Sequence, residues 1–316
     1  MIYTLTTNPA IDMNVCTNGL EPSRVNRTFG VVYTPNGKGL NVSFVLGHFG
    51  VESVIFGFFG GFSGEYVVNE SRKKGFKVDP VWVDDTTRIN IFLNDGEKEY
   101  KFVNEGSFVT EENQFQLLKM IKEARDMDYL SISGSLAKGI NTAYYDQILE
   151  VCQQKNVDVI LDISSPKLAE LLKYKPLLIK PNDEELKDIF GIDLKTEKDM
   201  INALDFLHKE GAQNILLTLG DKGSYFYNGK NVYYASAQPV KLLSSACAGD
   251  SALAAFLSVW LDDQTKIVEA LKNSDLNLNN LVDKLPKSNT ISRQQITKNL
   301  NEAYQKENLV LALGAG

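Results

Sequence analysis

The order of the apolar segments predicts an α/β fold in which helices cover both faces of a mainly parallel central sheet. Short apolar strands alternate with helical segments through the middle of the chain, and this alternation is typical of parallel βαβ units. Two polar, strand-like stretches interrupt the alternation and predict a small additional sheet. The composition, 43% hydrophobic and 23% charged over 316 residues, is ordinary for a globular protein with a sizeable core.

The core elements follow one another in a regular order. Strands are predicted at 129–133, 157–161, 177–179 and 214–219. Helical periodicity lies beside them at 111–125, 141–154, 168–172 and 197–209. Parallel strands need long crossover connections, and a helix between two strands supplies one. The segments therefore predict a sheet whose two faces are both covered.

Residues 12–33 and 77–104 are predicted to form a small β-sheet lid on a single domain that spans residues 1–316. The second stretch surrounds Asn94-Asp95-Gly96, a typical hairpin turn. Open α/β sheets bind ligands at the carboxyl ends of their strands, where a small sheet can close over a substrate. A surface for homodimer formation is the alternative use of this sheet, and the two uses are compatible.

Charge and cysteine content limit the partners. The formal net charge is −7, which argues against nucleic acid or an anionic membrane surface as the main partner. Cys16, Cys152 and Cys247 are widely spaced, and His48 and His208 are the only histidines, so neither a disulfide framework nor a zinc site is expected. The chain shows no signal-peptide pattern and no apolar run of about 20 residues. These features favour a cytoplasmic protein with no membrane segment.

Residues 247–251, Cys-Ala-Gly-Asp-Ser, precede an apolar helix. Small residues at a helix start let free backbone amides approach an anion. Asp250, in the first turn, could take a proton from a substrate hydroxyl. An ordinary helix start explains the segment as well, because acidic residues favour the positive end of the helix dipole.

Three further segments place glycines or polar groups at the ends of predicted elements. Residues 35–42 predict a glycine turn before a helix at 42–49, without the spacing of a Walker A phosphate loop. Residues 180–185 place Lys180 at a strand end, with Asn182 and Glu185 at a helix start suited to hydrated Mg²⁺. Residues 218–224 form a glycine turn that could hold a nucleotide. The alternatives are a plain turn, a helix cap and a hairpin loop.

The order of these segments, together with residues 6–12, resembles the ribokinase/PfkB family of sugar kinases over about residues 1–262. Residues 57–65, 87–90 and 133–139 resemble the branch that acts on phosphorylated hexoses. The resemblance implies a ribokinase-like three-layer α/β/α core with a mainly parallel sheet and a small β-sheet lid.

The resemblance also implies roles for the matching positions. The sugar would contact Asp12, Gly37, Lys38, Gly39, Asn41 and Asn90. The phosphate already on the substrate would be held by Arg88, Lys138 and Arg27. ATP would lie along Lys180, Asn182, Thr218, Gly220, Gly223, Cys247, Ala248 and Gly249. Asn182 and Glu185 would organise Mg²⁺, and Asp250 would be the general base beside anion-hole amides of Ala248 and Gly249.

The implied reaction is ATP-dependent phosphorylation of a ketohexose phosphate, with fructose 1-phosphate favoured as the substrate and fructose 1,6-bisphosphate as the product. Tagatose-6-phosphate kinase activity is the alternative within the same class. A non-catalytic sugar-phosphate or nucleotide-binding protein is a third hypothesis. It is motivated by Asn36 and Cys247, which stand where the family usually has glycine, and by the unusual tail from residue 273.

Overall fold

The large sheet contains nine strands within residues 1–236 and 248–274, which are the residues that the computed structural model describes. Numbered along the chain, they are β1 Ile2–Thr6, β4 Ser53–Gly60, β5 Lys77–Val83, β8 Tyr129–Ser133, β9 Asp158–Asp162, β10 Leu178–Ile179, β11 Ile215–Thr218, β12 Ser224–Tyr227 and β13 Val232–Ala235. Their spatial order is β13-β12-β11-β10-β9-β8-β1-β4-β5. The seven strands from β11 to β5 are parallel, whereas β12 runs antiparallel to both of its neighbours. The predicted mainly parallel sheet is confirmed.

Helices cover both faces of this sheet. They are α1 Lys38–His48, α2 Gly61–Lys73, α3 Glu111–Glu123, α4 Ala143–Lys155, α5 Lys167–Leu171, α6 Asp183–Phe190, α7 Glu197–Glu210 and α8 Ala248–Trp260. A further helical stretch covers 267–274. The four predicted core helices and four predicted core strands are confirmed to within two residues at each end.

The three layers follow from the two-residue repeat of the strands, which points neighbouring side chains to opposite faces. Ile160 and Leu216 pack on the face covered by α1 and α8. Leu161 and Leu217, the next residue in each strand, pack on the opposite face with α3, α4 and α7. Both faces are apolar, as expected for a parallel sheet buried on both sides.

A second sheet of four strands forms the predicted lid. Its strands are β2 Ala10–Thr17, β3 Thr28–Asn36, β6 Arg88–Asn94 and β7 Glu99–Phe102, in the order β3-β2-β6-β7. The hairpin between β6 and β7 turns at the predicted site, where Gly96 has a φ of 95°. Asn94 closes this turn by accepting a hydrogen bond from the Gly96 amide at 2.8 Å.

The predicted lid segment 77–104 begins too early. Strand β5 pairs in parallel with β4 at the edge of the large sheet, and α2 forms the crossover between them. Pro80 lies within β5, which an edge strand tolerates because one of its sides carries no ladder hydrogen bonds. Only the part of the segment from Arg88 onward contributes strands to the lid.

Helix α1 begins at Lys38, earlier than the predicted start at residue 42. A Cβ atom on Gly39 would lie 2.5 Å from Thr6 Oγ1 and 2.7 Å from the Leu5 carbonyl oxygen. Gly39 is therefore a helical residue that lets α1 pack directly against β1. The predicted start is wrong because glycine is typical of turns, whereas Gly39 is needed here for close packing of a helix on a strand.

No helix within the described ranges combines the length and the apolar character needed to cross a bilayer. In the same part of the chain, no group of three His, Cys, Asp or Glu side chains is arranged to hold a metal ion.

Candidate active site

Polar residues converge at the carboxyl edge of the large sheet. Asp162 is the last residue of β9, Lys180 directly follows β10, and Thr218 is the last residue of β11. These strands are neighbours and parallel, so their carboxyl ends meet at the edge where open α/β sheets bind ligands.

Asp250 lies in the first turn of α8, and only 4% of it is exposed. Asn41 of α1 donates a hydrogen bond from Nδ2 to Asp250 Oδ2 at 2.9 Å. Burial, followed by the charge of Asp162, raises the pKa of Asp250 to about 6, against the opposing effects of Lys38, Asn41 and Lys180. A carboxyl group whose pKa lies near neutrality is well suited to act as a general base.

Asp162 is a second buried carboxylate at this edge, and the sequence motifs do not predict it. It is 1% exposed, with Lys180 Nζ 3.1 Å from Oδ1 and Lys38 Nζ 3.8 Å from Oδ2. A buried carboxylate needs such partners because its desolvation is costly. The available signal was an acidic residue at the carboxyl end of a buried, apolar strand.

The start of α8 brings Gly249 close to Lys180. A Cβ atom on Gly249 would lie 3.3 Å from Lys180 Nζ, so the small residue gives the ammonium group room beside the first turn. Ala248 and Gly249 are half-buried there. Cys247, the residue before them in the predicted motif, lies outside the described residues.

Gly37 and Gly39 are expected to contact the sugar. In the structure, Gly37 allows an unusual main-chain angle and Gly39 allows close packing of α1 on β1. Gly37 has a φ of 149°, which side chains rarely adopt, and it precedes the first turn of α1. Thr6 Oγ1 accepts a hydrogen bond from the Leu40 amide at 3.0 Å. These contacts fix the start of α1 against β1, and contact of either glycine with a sugar stays a prediction.

Asp12 and Asn90 bring the lid to the same region. Asn90 of β6 donates to Asp12 Oδ1 at 2.8 Å, and Asn36 Nδ2 donates to Oδ2. Burial raises the pKa of Asp12, while the amides of Asn90 and Asn36 and the charge of Arg88 oppose this increase. The lid therefore presents a buried carboxylate that is held by two side-chain amides.

The three predicted phosphate-binding cations lie in different surroundings. The guanidinium of Arg88 is half-buried and donates to the carbonyl oxygens of Asn8 at 3.1 Å and Asn104 at 3.4 Å. Burial lowers the pKa of Arg88, and the nearby charge of Asp12 opposes this decrease. Lys138 is exposed with its Nζ 3.2 Å from Glu105, and Arg27 is exposed just before β3. Only Arg88 is thus packed into the site around Asp12.

Asn182 and Glu185 form a capping box at the start of α6. Asn182 Oδ1 accepts from the Glu185 amide at 2.7 Å, and Glu185 Oε2 accepts from the Asn182 amide at 3.1 Å. Glu185 Oε1 accepts from the Ser164 hydroxyl. The predicted alternative of a helix cap is confirmed, and the role in binding Mg²⁺ stays a prediction.

The glycine turn after Thr218 joins β11 to β12 as a hairpin, so the structural alternative for this segment is also confirmed. Gly220 and Gly223 have φ values of 57° and 88°. The amide of Thr218 donates to the carbonyl oxygen of Pro181 at 3.1 Å, which ties this strand end to the Asn182 cap. Contact of these residues with a nucleotide stays a prediction.

The fold and this arrangement of two buried carboxylates and two lysines below a β-sheet lid define a sugar kinase of the ribokinase-like class. Comparison with known proteins agrees with this assignment. The pattern of the "pfkB family carbohydrate kinase" matches residues 5–274. The chain belongs to the PfkB family.

Individual relatives resemble the chain over most of its length. It is 50% identical over 264 residues to "D-tagatose-1-phosphate kinase" of Klebsiella oxytoca, covering 84% of this chain and 87% of that one. It is 32% identical over 272 residues to "1-phosphofructokinase" of Bacillus subtilis, covering 86% and 89%. Phosphofructokinase-2 from Escherichia coli in complex with substrates and products has a TM-score of 0.82 and 26% identity, covering 97% of this chain and 99% of that one.

These comparisons make the protein a sugar-phosphate kinase. Membership in the family implies ATP as the phosphoryl donor. The hypothesis of a non-catalytic binding protein therefore finds no support in the relatives.

Proposed function

We propose that the protein transfers the γ-phosphoryl group of ATP to the C6 hydroxyl of a ketohexose 1-phosphate, which yields the 1,6-bisphosphate. The observation that carries the proposal is Asp250, a buried carboxyl at a helix start whose pKa is raised to about 6. Lys180 lies beside the same helix turn. A carboxyl that can accept a proton and a cation beside one helix start are the groups that phosphoryl transfer to a hydroxyl needs, and this supports the proposal.

D-tagatose 1-phosphate is the first candidate substrate because the Klebsiella oxytoca relative named for it is 50% identical. Fructose 1-phosphate, which the sequence motifs favour, is the second candidate and is supported by the 32% identical Bacillus subtilis relative. The two sugars differ in the configuration of one hydroxyl, at C4, and both carry a C1 phosphate and a free C6 hydroxyl. Tagatose 6-phosphate would have to bind in the opposite direction, with C1 as the acceptor.

The lid residues would bind the sugar phosphate. Asp12 and Asn90 offer hydrogen bonds to sugar hydroxyls, and Arg88 is a forked donor suited to the C1 phosphate. Lys138 would exchange Glu105, its exposed partner, for the same phosphate. Exposed Arg27 could join when the lid closes.

In the chemical step, Asp250 would accept the proton of the C6 hydroxyl as its oxygen attacks the γ-phosphorus. The bond between that phosphorus and the bridging oxygen breaks, and ADP leaves with the electron pair. The amides of Ala248 and Gly249 and the ammonium groups of Lys38 and Lys180 would stabilise the charge on the transferred group. Asp162 would hold both lysines in place between turnovers.

The residues after β10 and β11 would bind the nucleotide and its cation. Asn182 and Glu185 offer amide and carboxylate oxygens, which fit hydrated Mg²⁺ bound largely through water. Mg²⁺ would supply charge neutralisation for the ATP phosphates. Thr218, Gly220 and Gly223 would line ATP at the turn that follows β11.

A homodimer through the lid is the quaternary arrangement we propose. Phe29, Val31 and Tyr33 alternate along β3, the edge strand of the lid, and all three are exposed. An exposed edge strand with apolar side chains is a ready surface for pairing with a second copy.

A coupled assay of ADP release, with Mg·ATP and each sugar phosphate in turn, tests the reaction. We expect the highest kcat/KM for D-tagatose 1-phosphate, followed by fructose 1-phosphate, and much lower values for tagatose 6-phosphate. A preference for tagatose 6-phosphate would overturn the assignment of the acceptor hydroxyl. No turnover with any ketohexose phosphate would overturn the proposed function.

The role of Asp250 is tested by Asp250→Asn, which should lower kcat by about 10²–10⁴-fold. Asp262→Asn, which changes an exposed aspartate just after α8, is the matched control and should leave kcat unchanged. Unaltered turnover in Asp250→Asn would exclude Asp250 as the base.

A further inference from the structure

A continuous line of side-chain hydrogen bonds joins the lid to Asp250. Asn90 and Asn36 both donate to the carboxylate of Asp12. Asn36 Oδ1 accepts from Asn41 Nδ2 at 3.1 Å, and the same nitrogen of Asn41 donates to Asp250 Oδ2 at 2.9 Å. The line therefore runs from strand β6 of the lid to the first turn of α8 through five side chains.

Asn36 stands at the centre of this line. It is the last residue of β3 and directly precedes Gly37 and helix α1. Its Oδ1 also accepts from the Gly37 amide. One side chain thus contacts a lid carboxylate, the start of a core helix and the amide that binds Asp250.

We infer that Asn36 is a positioning residue that couples the lid carboxylate Asp12 to Asp250 through Asn41. The inference rests on the proposed function for the roles of Asp12 and Asp250. It assigns a role to Asn36, which the sequence motifs leave without one.

The chemistry of the side-chain amide explains why an asparagine fits this place. An amide donates through nitrogen and accepts through oxygen, so Asn36 can donate to the Asp12 carboxylate and accept from Asn41 at once. Because Asn36 accepts one N–H of Asn41, the other N–H is directed at Asp250. Glycine or alanine would leave the orientation of Asn41 to other contacts. The Asp12 carboxylate would then no longer be linked to Asp250 along this path.

Asn36→Ala, with Thr34→Val as the matched control, tests the coupling. Thr34 lies two residues earlier in β3, and its hydroxyl donates to the main-chain oxygen of Asp12 at 3.4 Å. Removing this hydroxyl therefore leaves the line of side-chain hydrogen bonds intact. We expect Asn36→Ala to lower kcat by about 10- to 100-fold, because bonds of a charged group are lost, and Thr34→Val to change kcat less than about threefold.

A second measurement is independent of turnover. The hydrogen bond from Asn41 lowers the pKa of Asp250, so a loosened Asn41 should raise this pKa. In Asn36→Ala, we expect the acid limb of the kcat profile to move to higher pH. Carboxyl ¹³C NMR of the substrate-free protein, with Asp250→Asn for assignment, should show the same direction of shift. Unchanged kcat together with unchanged titration of Asp250 would refute the inference.

If the alanine variant does not fold, Asn36→Asp tests the link between Asn36 and Asp12 on which the coupling depends. It preserves the shape and the acceptor for Asn41 but places a carboxylate against Asp12, so KM for the sugar phosphate should rise at least about tenfold. Unchanged KM would contradict the coupling. A wild-type protein without sugar kinase activity would contradict the proposed function separately, and the NMR titration would still test Asn36.

Discussion

Replacing Asp250 by asparagine should stabilise the protein at alkaline pH while it lowers turnover. Asp250 is buried, and its pKa is raised from 3.8 to about 6, first because burial disfavours its charge. The folded protein therefore bears a free-energy penalty for ionising this group. Asparagine has the same shape and no charge, so the variant avoids the penalty and loses the proposed proton acceptor.

The size and sign of this effect follow from the difference in pKa between the folded and unfolded chains. Because the pKa of Asp250 is higher in the folded state, stability falls as pH rises from about 4 and levels off above about 6. A rise from 3.8 to about 6 corresponds to about 3 kcal/mol at pH 8. At pH 5 about half of this penalty is present, because the folded protein still retains the proton.

Urea unfolding of the ligand-free protein, followed by the fluorescence of Trp82 and Trp260, measures the effect. Asp250→Asn should exceed the wild type in free energy of unfolding by about 3 kcal/mol at pH 8 and by about half of this at pH 5. Asp262→Asn should differ from the wild type by less than about 0.5 kcal/mol at both pH values. A variant that is less stable than the wild type at pH 8, or a difference independent of pH, would refute the reasoning.

Three other expectations concern the substrate phosphate, the cation and the lid. Arg88→Ala should raise KM for the sugar phosphate by about 10- to 100-fold, and calorimetric titration should show unchanged ATP affinity. An equal loss of affinity for the sugar phosphate and for ATP would indicate misfolding. Glu185→Gln preserves an oxygen that can accept from the Asn182 amide, so the melting temperature should change little. The Mg²⁺ concentration that gives half-maximal activity should rise. If this Mg²⁺ concentration is unchanged, Glu185 is excluded from cation binding. Val31→Asp, on exposed β3, should turn a dimer into a monomer in light scattering, and an unaffected dimer would place the interface elsewhere.

The strands and helices of the core could be predicted because the apolar pattern that specifies each element lies within the residues of that element. In strand β9 and helix α4, for example, the buried positions are occupied mainly by large side chains at the spacing typical of a strand or a helix. Strand β5 was assigned to the wrong sheet because its alternating pattern fits either sheet, and its partner is separated from it by the whole of α2. The assignment of an edge strand depends on pairing across the fold, which no window of neighbouring residues contains.

The site was predicted only in part, for a related reason. Asp250 and Asn41 belong to glycine-containing motifs that can be recognised, and the structure joins them with a hydrogen bond. Asp162 belongs to no such motif, and its role depends on two lysines that approach it from other elements. Asn36 appeared as a departure from the family pattern. Its three partners became apparent only when strand β3 and helix α1 were placed beside β2.

The two buried carboxylates at the sheet edge differ in their partners, and the difference supports separate roles. Asp162 faces two ammonium groups, at 3.1 and 3.8 Å, whereas Asp250 accepts from the neutral amide of Asn41. The ion pairs of Asp162 favour a structural task for this carboxylate, which is to hold both lysines at the sheet edge. The negative charge of Asp162 in turn makes protonation of Asp250 easier. A carboxyl whose pKa is raised to about 6 is well matched to general-base catalysis, and for this reason we propose Asp250 rather than Asp162 as the base.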